Sequence, residues 1–138
     1  MNGPEPISII EPLKNETAET IPNEKLYDLT MIHGLSGGDE AFIRQMVELF
    51  VDTMPASMLE FQTTLQDQEW EAMGKLAHKL KSTTGSMGMD SIKEEMRMVE
   101  INCKKKENLE ETPALVQKCI LVINQTVAQL KADFALAN

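Results

Sequence analysis

At 138 residues, with 42% hydrophobic and 25% charged residues, the chain is long enough to bury one sizeable core and has the composition of a soluble globular protein. Aromatics make up only 4% against ten methionines, so a core of Leu, Ile, Val, Met and Ala favours helices over a β-sandwich. A net charge of −9, from 13 basic and 22 acidic residues, argues against nucleic acid or an anionic membrane as the main partner.

The N-terminal residues 1–22 contain Pro4, Pro6, Pro12 and Pro22, and five acids fall by Glu24. They read as a flexible tail or an interdomain linker, with residues 23–138 as the folded domain. The opening is polar and acidic apart from a short patch at Ile7–Ile10, so no signal peptide is visible. No apolar stretch approaches the roughly 20 residues of a membrane helix, and a cytoplasmic location is expected.

Asn23 is placed to cap a short helix through Leu26, Leu29 and Ile32, ending at Gly34. Gly37-Gly38 breaks the chain, and Asp39 caps the next helix with Glu40 in its first turn. Phe42, Ile43, Met46, Val47, Leu49, Phe50 and Met54 recur at helical spacing, and the pattern resumes after Pro55 at Met58, Leu59, Phe61 and Leu65. Residues 39–66 are therefore one long helix with a kink, or two nearly collinear ones. The next helix begins at Asp67 or Gln68, turns Trp70, Met73, Leu76, Ala77, Leu80 and Met87 inward, and ends at Gly88. Asp90 caps its successor, whose stripe is Ile92, Met96, Val99 and Cys103 and whose end is Lys104-Lys105-Lys106, where cations suit a helix C-terminus. Thr112 caps the last helix, with Pro113 at its first position and an apolar series from Leu115 to Phe134. Short connections favour antiparallel neighbours. The fold expected is all-α: an antiparallel up-down four-helix bundle with a short extra N-terminal helix. Cys103 and Cys119 have neither zinc-ligand nor redox-pair spacing and are expected as buried free thiols.

The run from Leu76 to Gly88, with His78 near its start, holds the most informative residue. At roughly 100° per residue, His78 lies about 150° from the centre of the buried face, so it points outward. Gly74, Ser82 and Gly85, with little or no side chain, share its side. Each helical glycine costs about 1 kcal/mol relative to alanine. Two of them beside an outward histidine suggest a surface that a partner approaches closely. Lys75, Lys79 and Lys81 surround it, with no acid between Gly74 and Gly85. Lys81 lies one turn along and Lys75 one turn back on the histidine's side, while Lys79 points further round. Thr84 faces the core and is expected to bond the preceding turn's carbonyl.

A neutral imidazole can act as a nucleophile. If the electrophile is phosphorus, nearby lysines stabilise the charge gained. The chain has no P-loop or other glycine-rich nucleotide motif, so the phosphoryl group would come from another protein.

His78-Lys79-Leu80-Lys81-Ser82-Thr83, with Gly88 ten positions after the histidine, resembles the signature of histidine-containing phosphotransfer (HPt) domains. Tyr27-Asp28-Leu29 through Leu35-Ser36-Gly37-Gly38-Asp39, Phe50 to Pro55, and Trp70-Glu71-Ala72 are also similar to that family, so the likeness spans roughly residues 24–135. It implies a phosphorelay carrier. His78 takes a phosphoryl group at Nε2 from a receiver-domain aspartate and passes it to another receiver, in two-component signalling. It implies Lys81, with Lys75, as phosphate-stabilising residues, and Gly74, Ser82, Gly85 and Lys79 as docking surface. The chain would have no ATP-binding or autokinase activity and no bound cofactor or metal of its own, with Mg²⁺ expected on the partner receiver. An upstream hybrid sensor histidine kinase is the implied source, and this chain would be a free monomeric carrier or a part of such a kinase. One departure is Ser82, where the family usually has glycine. The family often also supplies a polar side chain from a neighbouring helix to orient the ring; Arg97 and Glu100 are placed for this, and neither is preferred. Met89, just past the histidine helix, is a candidate apolar docking anchor. Alternatives are a non-catalytic helical adaptor that binds receivers without accepting phosphate, and a metal-binding bundle. The latter lacks a second His or Cys at ligand spacing.

Overall fold

A computed structural model describes residues 22–136. The tail expected at residues 1–22 lies, but for Pro22, outside the described residues. Five α-helices and one 3₁₀ turn follow in order, with no strand among the described residues: α1 (Thr30–Ser36), α2 (Glu40–Gln66), α3 (Trp70–Ser86), the 3₁₀ turn Asp90–Ile92, α4 (Lys93–Lys105) and α5 (Thr112–Asp133). Helix α2 packs on α3, α3 on α4, α4 on α5 and α5 back on α2, a closed ring of four. Side-chain pairings fix two directions. Gly74 approaches Cys103 while His78 meets Glu100, and Glu95 pairs with Lys118 while Asn102 bonds Thr112. Helices α3 and α4 are therefore antiparallel, as are α4 and α5.

The core follows the apolar stripes. Ile43, Val47, Phe50, Val51, Met54, Met58 and Phe61 of α2 meet Met73, Leu76, Ala77 and Leu80 of α3, Met96, Val99 and Cys103 of α4, and Val116, Cys119, Ile123, Val127 and Leu130 of α5. Phe42, Leu49 and Leu59, although part of the apolar pattern, lie on the exposed side of α2. Trp70 is half-buried. Both cysteines are buried and free, and burial raises their thiols to about 11 at Cys103 and about 12 at Cys119.

Helix ends depart from the sequence reading in several places. Helix α1 begins at Thr30, not after Asn23, because the Asp28 carboxylate accepts from the Thr30 amide at 2.9 Å and starts the turn there. It runs through Gly34 and ends at Gly37. Asp39 does cap α2, accepting from the Ala41 and Phe42 amides, and α2 continues through Pro55 as one helix. Helix α3 starts at Trp70, because Asp67 closes α2 and Gln68 adopts a left-handed conformation (φ 53°). Asp90 opens the 3₁₀ turn and makes no side-chain cap to α4. Thr112 is buried and also does not cap. Its hydroxyl donates to the Asn108 carbonyl and faces Asn102.

The segment before α1 is tied to the far end of the bundle. The Gln129 side chain accepts from the Leu26 amide at 2.9 Å and donates to the carbonyls of Pro22 and Glu24. Tyr27 and Lys25 both bond Asp133. The Asp28 amide donates to the Met87 carbonyl at 2.9 Å. Gly88 lies directly under this strap with φ 63°, and a Cβ there would stand 2.3 Å from the Asp28 carbonyl oxygen. Only glycine meets both demands, the left-handed backbone and the close approach.

Candidate functional site

Helix α3 places its apolar residues on the core and leaves His78 on the opposite side. The His78 side chain is 71% exposed. Thr84, three residues inward of Lys81, is buried, and its hydroxyl donates to the Leu80 carbonyl at 2.9 Å as the sequence predicts. The histidine therefore stands mid-way along a helix whose buried threonine hydroxyl is satisfied.

Glu100 of α4 reaches across to it. Its Oε2 lies 2.6 Å from His78 Nδ1, and its Oε1 lies 2.8 Å from the Lys81 ammonium. An ionised carboxylate can only accept, so Nδ1 carries the hydrogen and donates. In the neutral ring Nε2 then holds the lone pair. The Glu100 side chain is only 16% exposed, whereas Lys81 is 41% exposed. The Lys81 ammonium hydrogen-bonded to Glu100 holds its carboxyl below the ordinary glutamate value; His78 adds to this, and desolvation opposes it. The site is thus a chain of three: a cation, a half-buried anion and an exposed ring with one free nitrogen.

Arg97, the other sequence candidate for orienting the ring, instead pairs with Glu94 one turn away on α4. The sequence left the two undecided because it does not give the α3–α4 register. The available signal was position: Glu100 is one residue from Val99 and three from Cys103, at the margin of the buried stripe, so it faces the neighbouring helix.

The remaining sequence-predicted residues separate into two groups. Lys75, Lys79 and Ser82 are exposed, and neither lysine forms an ion pair among the described residues. Gly85 is exposed, and nothing lies within 4 Å of an added Cβ. Gly74 has a different physical reason. It faces α4, where a Cβ would sit 3.1 Å from Cys103 Cβ. It lets α3 and α4 approach closely, and so brings Glu100 within reach of His78. Met89 does not present an apolar anchor: it is 2% exposed and part of the core.

A cleft of about 560 Å³ opens beside the ring, lined by Trp70, Gly74, Lys75, His78, Lys104 and Lys106, among others. Lys104 and Lys106 read in the sequence only as a solvated helix end. On the other side a smaller cleft is bordered by Lys81, Gly85, Lys93 and Arg97. No cluster of three metal-ligating side chains occurs among the described residues. No described helix is long and apolar enough to cross a membrane.

The site is thus an exposed histidine on a helical bundle, its Nδ1 bonded to a carboxylate that a lysine also holds. The family model of the Hpt domain matches residues 45–133, well over half of the chain, and the chain belongs to that family. Hpt domains are phosphocarriers of two-component signalling, not kinases, and they work with receiver domains. Comparison with the curated proteins and with the solved structures gives no match.

Proposed function

We propose that His78 is the phosphoryl acceptor and that the chain relays the group between two receiver domains. The observation that supports this best is the division of labour within the ring. Nδ1 is engaged by Glu100 at 2.6 Å, so in the neutral ring the lone pair sits on Nε2, on a side chain 71% exposed. In the forward step the Nε2 lone pair attacks the phosphorus of an aspartyl phosphate on the receiver. A P–N bond forms, the P–O bond to the aspartate breaks, and its electron pair stays on the carboxylate. The ring becomes a cation whose Nδ1 proton remains shared with Glu100. The reverse sequence delivers the group to the aspartate of a second receiver.

Within this reading Glu100 is a positioning residue that fixes the tautomer and stabilises the charged ring. Lys81 pairs with Glu100 in the resting site and, one helical turn along from His78, would pair with the phosphoryl oxygens once they arrive. Lys75 contributes from the other side. Mg²⁺ on the receiver would neutralise charge on the transferring group. Gly85 and Ser82 keep the surface around the ring low enough for the receiver to reach Nε2.

The test is incubation with a radiolabelled, phosphorylated receiver domain. Acid-labile, base-stable label is expected on the wild type and not on His78→Gln. An unlabelled wild type, or equal label on the variant, overturns the assignment. An adaptor that only binds receivers would bind equally as His78→Gln and never carry label.

A further inference from the structure

The charge of the chain is unevenly distributed. Residues 70–106, spanning α3 and α4, carry eight lysines and arginines against five acids, and the remaining residues carry five against seventeen. A segment of net charge +3 thus sits in a chain of −9. Three of the five acids in that segment are engaged, Glu94 by Arg97 and Glu100 by Lys81 within it and Glu95 by Lys118 outside it. Of the other two, Glu71 lines the cleft beside His78, where Lys75, Lys104 and Lys106 outnumber it. Lys104 and Lys106 belong to this segment but lie at the far end of α4, where they line the cleft that begins at His78 and runs past Lys75 and Trp70. Both are exposed, and neither forms an ion pair among the described residues. Lys106 is held in a left-handed conformation (φ 55°) that closes α4, so its backbone is fixed at the cleft mouth.

Resting on the phosphotransfer reading, we propose that Lys104 and Lys106 are a docking determinant: they take acidic side chains that flank the phosphoryl-bearing aspartate on the receiver's face. They steer that face onto α3 and α4 and set the rate of association, leaving bond making at Nε2 unchanged. Charge complementarity favours this partner face. A receiver that holds Mg²⁺ beside an aspartate must present carboxylates there, and α2 opposes such a face, since its residues 40–66 carry four acids and the single cation Arg44. Exposed charges at the edge of an interface act on association rate and salt dependence more than on intrinsic affinity. Their reach is about a Debye length, some 8 Å at physiological ionic strength.

The experiment compares two phosphodonors on the full chain. A phosphorylated receiver needs docking; phosphoramidate, a small molecule, labels the histidine without it. The readout is the ratio of receiver-driven to phosphoramidate-driven labelling in each protein. For Lys104→Gln/Lys106→Gln this ratio is expected to fall about 3- to 10-fold at low ionic strength, and the deficit should close as salt rises. Arg44→Glu changes the net charge equally but lies on α2, and its ratio should match wild type. An unchanged ratio for the lysine pair, an equal fall for Arg44→Glu, or a deficit that persists in high salt overturns the proposal. Absence of label on wild-type His78 from both donors would instead overturn the phosphotransfer reading beneath it.

Discussion

Replacing Glu100 with Gln keeps the shape of the side chain and removes its charge. The carboxylate bonds Nδ1 at 2.6 Å and Lys81 at 2.8 Å, so both contacts lose their ionic component. In the proposed transfer the ring becomes cationic while Glu100 stays anionic, an attraction absent from a neutral ring. Two unit charges about 4 Å apart attract by about 4 kcal/mol at an effective dielectric of 20. The His78 side chain is 71% exposed, so solvent screens much of this. A differential of about 1–2 kcal/mol remains, or about 5- to 30-fold in rate. The amide can also turn its NH₂ toward Nδ1, which would favour the wrong tautomer and withdraw the lone pair from Nε2.

The assay is single-turnover transfer from a phosphorylated receiver, with the ring tautomer followed by nitrogen NMR of the imidazole. Glu100→Gln should slow transfer by that factor and mix the two tautomers, while thermal stability changes by no more than about 1 kcal/mol, because the lost Lys81 pair is partly exposed. Transfer at the wild-type rate with the tautomer unmoved would refute the role given to Glu100. Slow transfer accompanied by a large stability loss would refute it too, since the effect would then be one of folding.

Lys81→Ala should slow transfer with the fold intact, because the side chain is 41% exposed; an unchanged rate would remove it from the mechanism. Gly85→Ala should raise stability by about 0.5–1 kcal/mol in chemical denaturation, from helix propensity in open space, and yet slow receiver-driven transfer by intruding on the docking surface. Faster or unchanged transfer would show that the clearance is not used. Gly88→Ala should cost about 3 kcal/mol or more, because the left-handed backbone alone costs about 1–2 kcal/mol and the new Cβ meets the Asp28 carbonyl; a Tm within a few degrees of wild type would contradict that packing. Acid should weaken the fold in a defined window: Glu94, Glu95, Glu100, Asp28 and Asp133 all have folded-state values held below the ordinary 4.5 or 3.8, chiefly by hydrogen bonds to Arg97, Lys118, Lys81, Thr30 and Lys25 respectively. The unfolded chain then binds protons first, so this stabilisation is complete above the ordinary carboxylate values and is lost as pH falls through the depressed ones. A Tm that stayed level through that range would contradict these pairings.

The helices and the outward direction of His78 were legible because they rest on periodicity, and α3 keeps a clean apolar stripe from Met73 to Leu80. What the sequence hid was register. Glu100 and Arg97 are three residues apart on one helix, and only the offset between α3 and α4 decides that one meets the ring and the other turns back to Glu94. The same offset gives Gly74 its function. Read on α3 alone it is an open surface beside the histidine; in the bundle it faces Cys103 and permits the close approach. Met89 failed for a related reason, since the turn after Gly88 folds it into the core, with its amide bonded to the Thr84 carbonyl. Caps were misplaced where a polar residue had a stronger use: Asp28 displaced Asn23 as the start of α1, and Thr112 was drawn to Asn108 and Asn102.

The arrangement around His78 has an internal opposition that suits a carrier. Glu100 favours the cationic ring but repels an incoming phosphoryl group, because both are anions. Lys81 favours the phosphoryl group but, while it pairs with Glu100, also weakens the field that the ring feels. Burial settles the balance by position: Glu100, 16% exposed, is held on the Nδ1 side of the ring, whereas the proposed transfer takes place at Nε2. The repulsion therefore acts across the ring and the attraction acts alongside it. Strengthening either charge alone would bias the site, one way toward a histidine that holds its phosphoryl group too firmly to pass it on, the other toward one that never accepts it. A shared cation between a fixed anion and a transient one keeps both directions of transfer accessible. That is a requirement for a phosphocarrier, the role of the Hpt family to which the chain belongs.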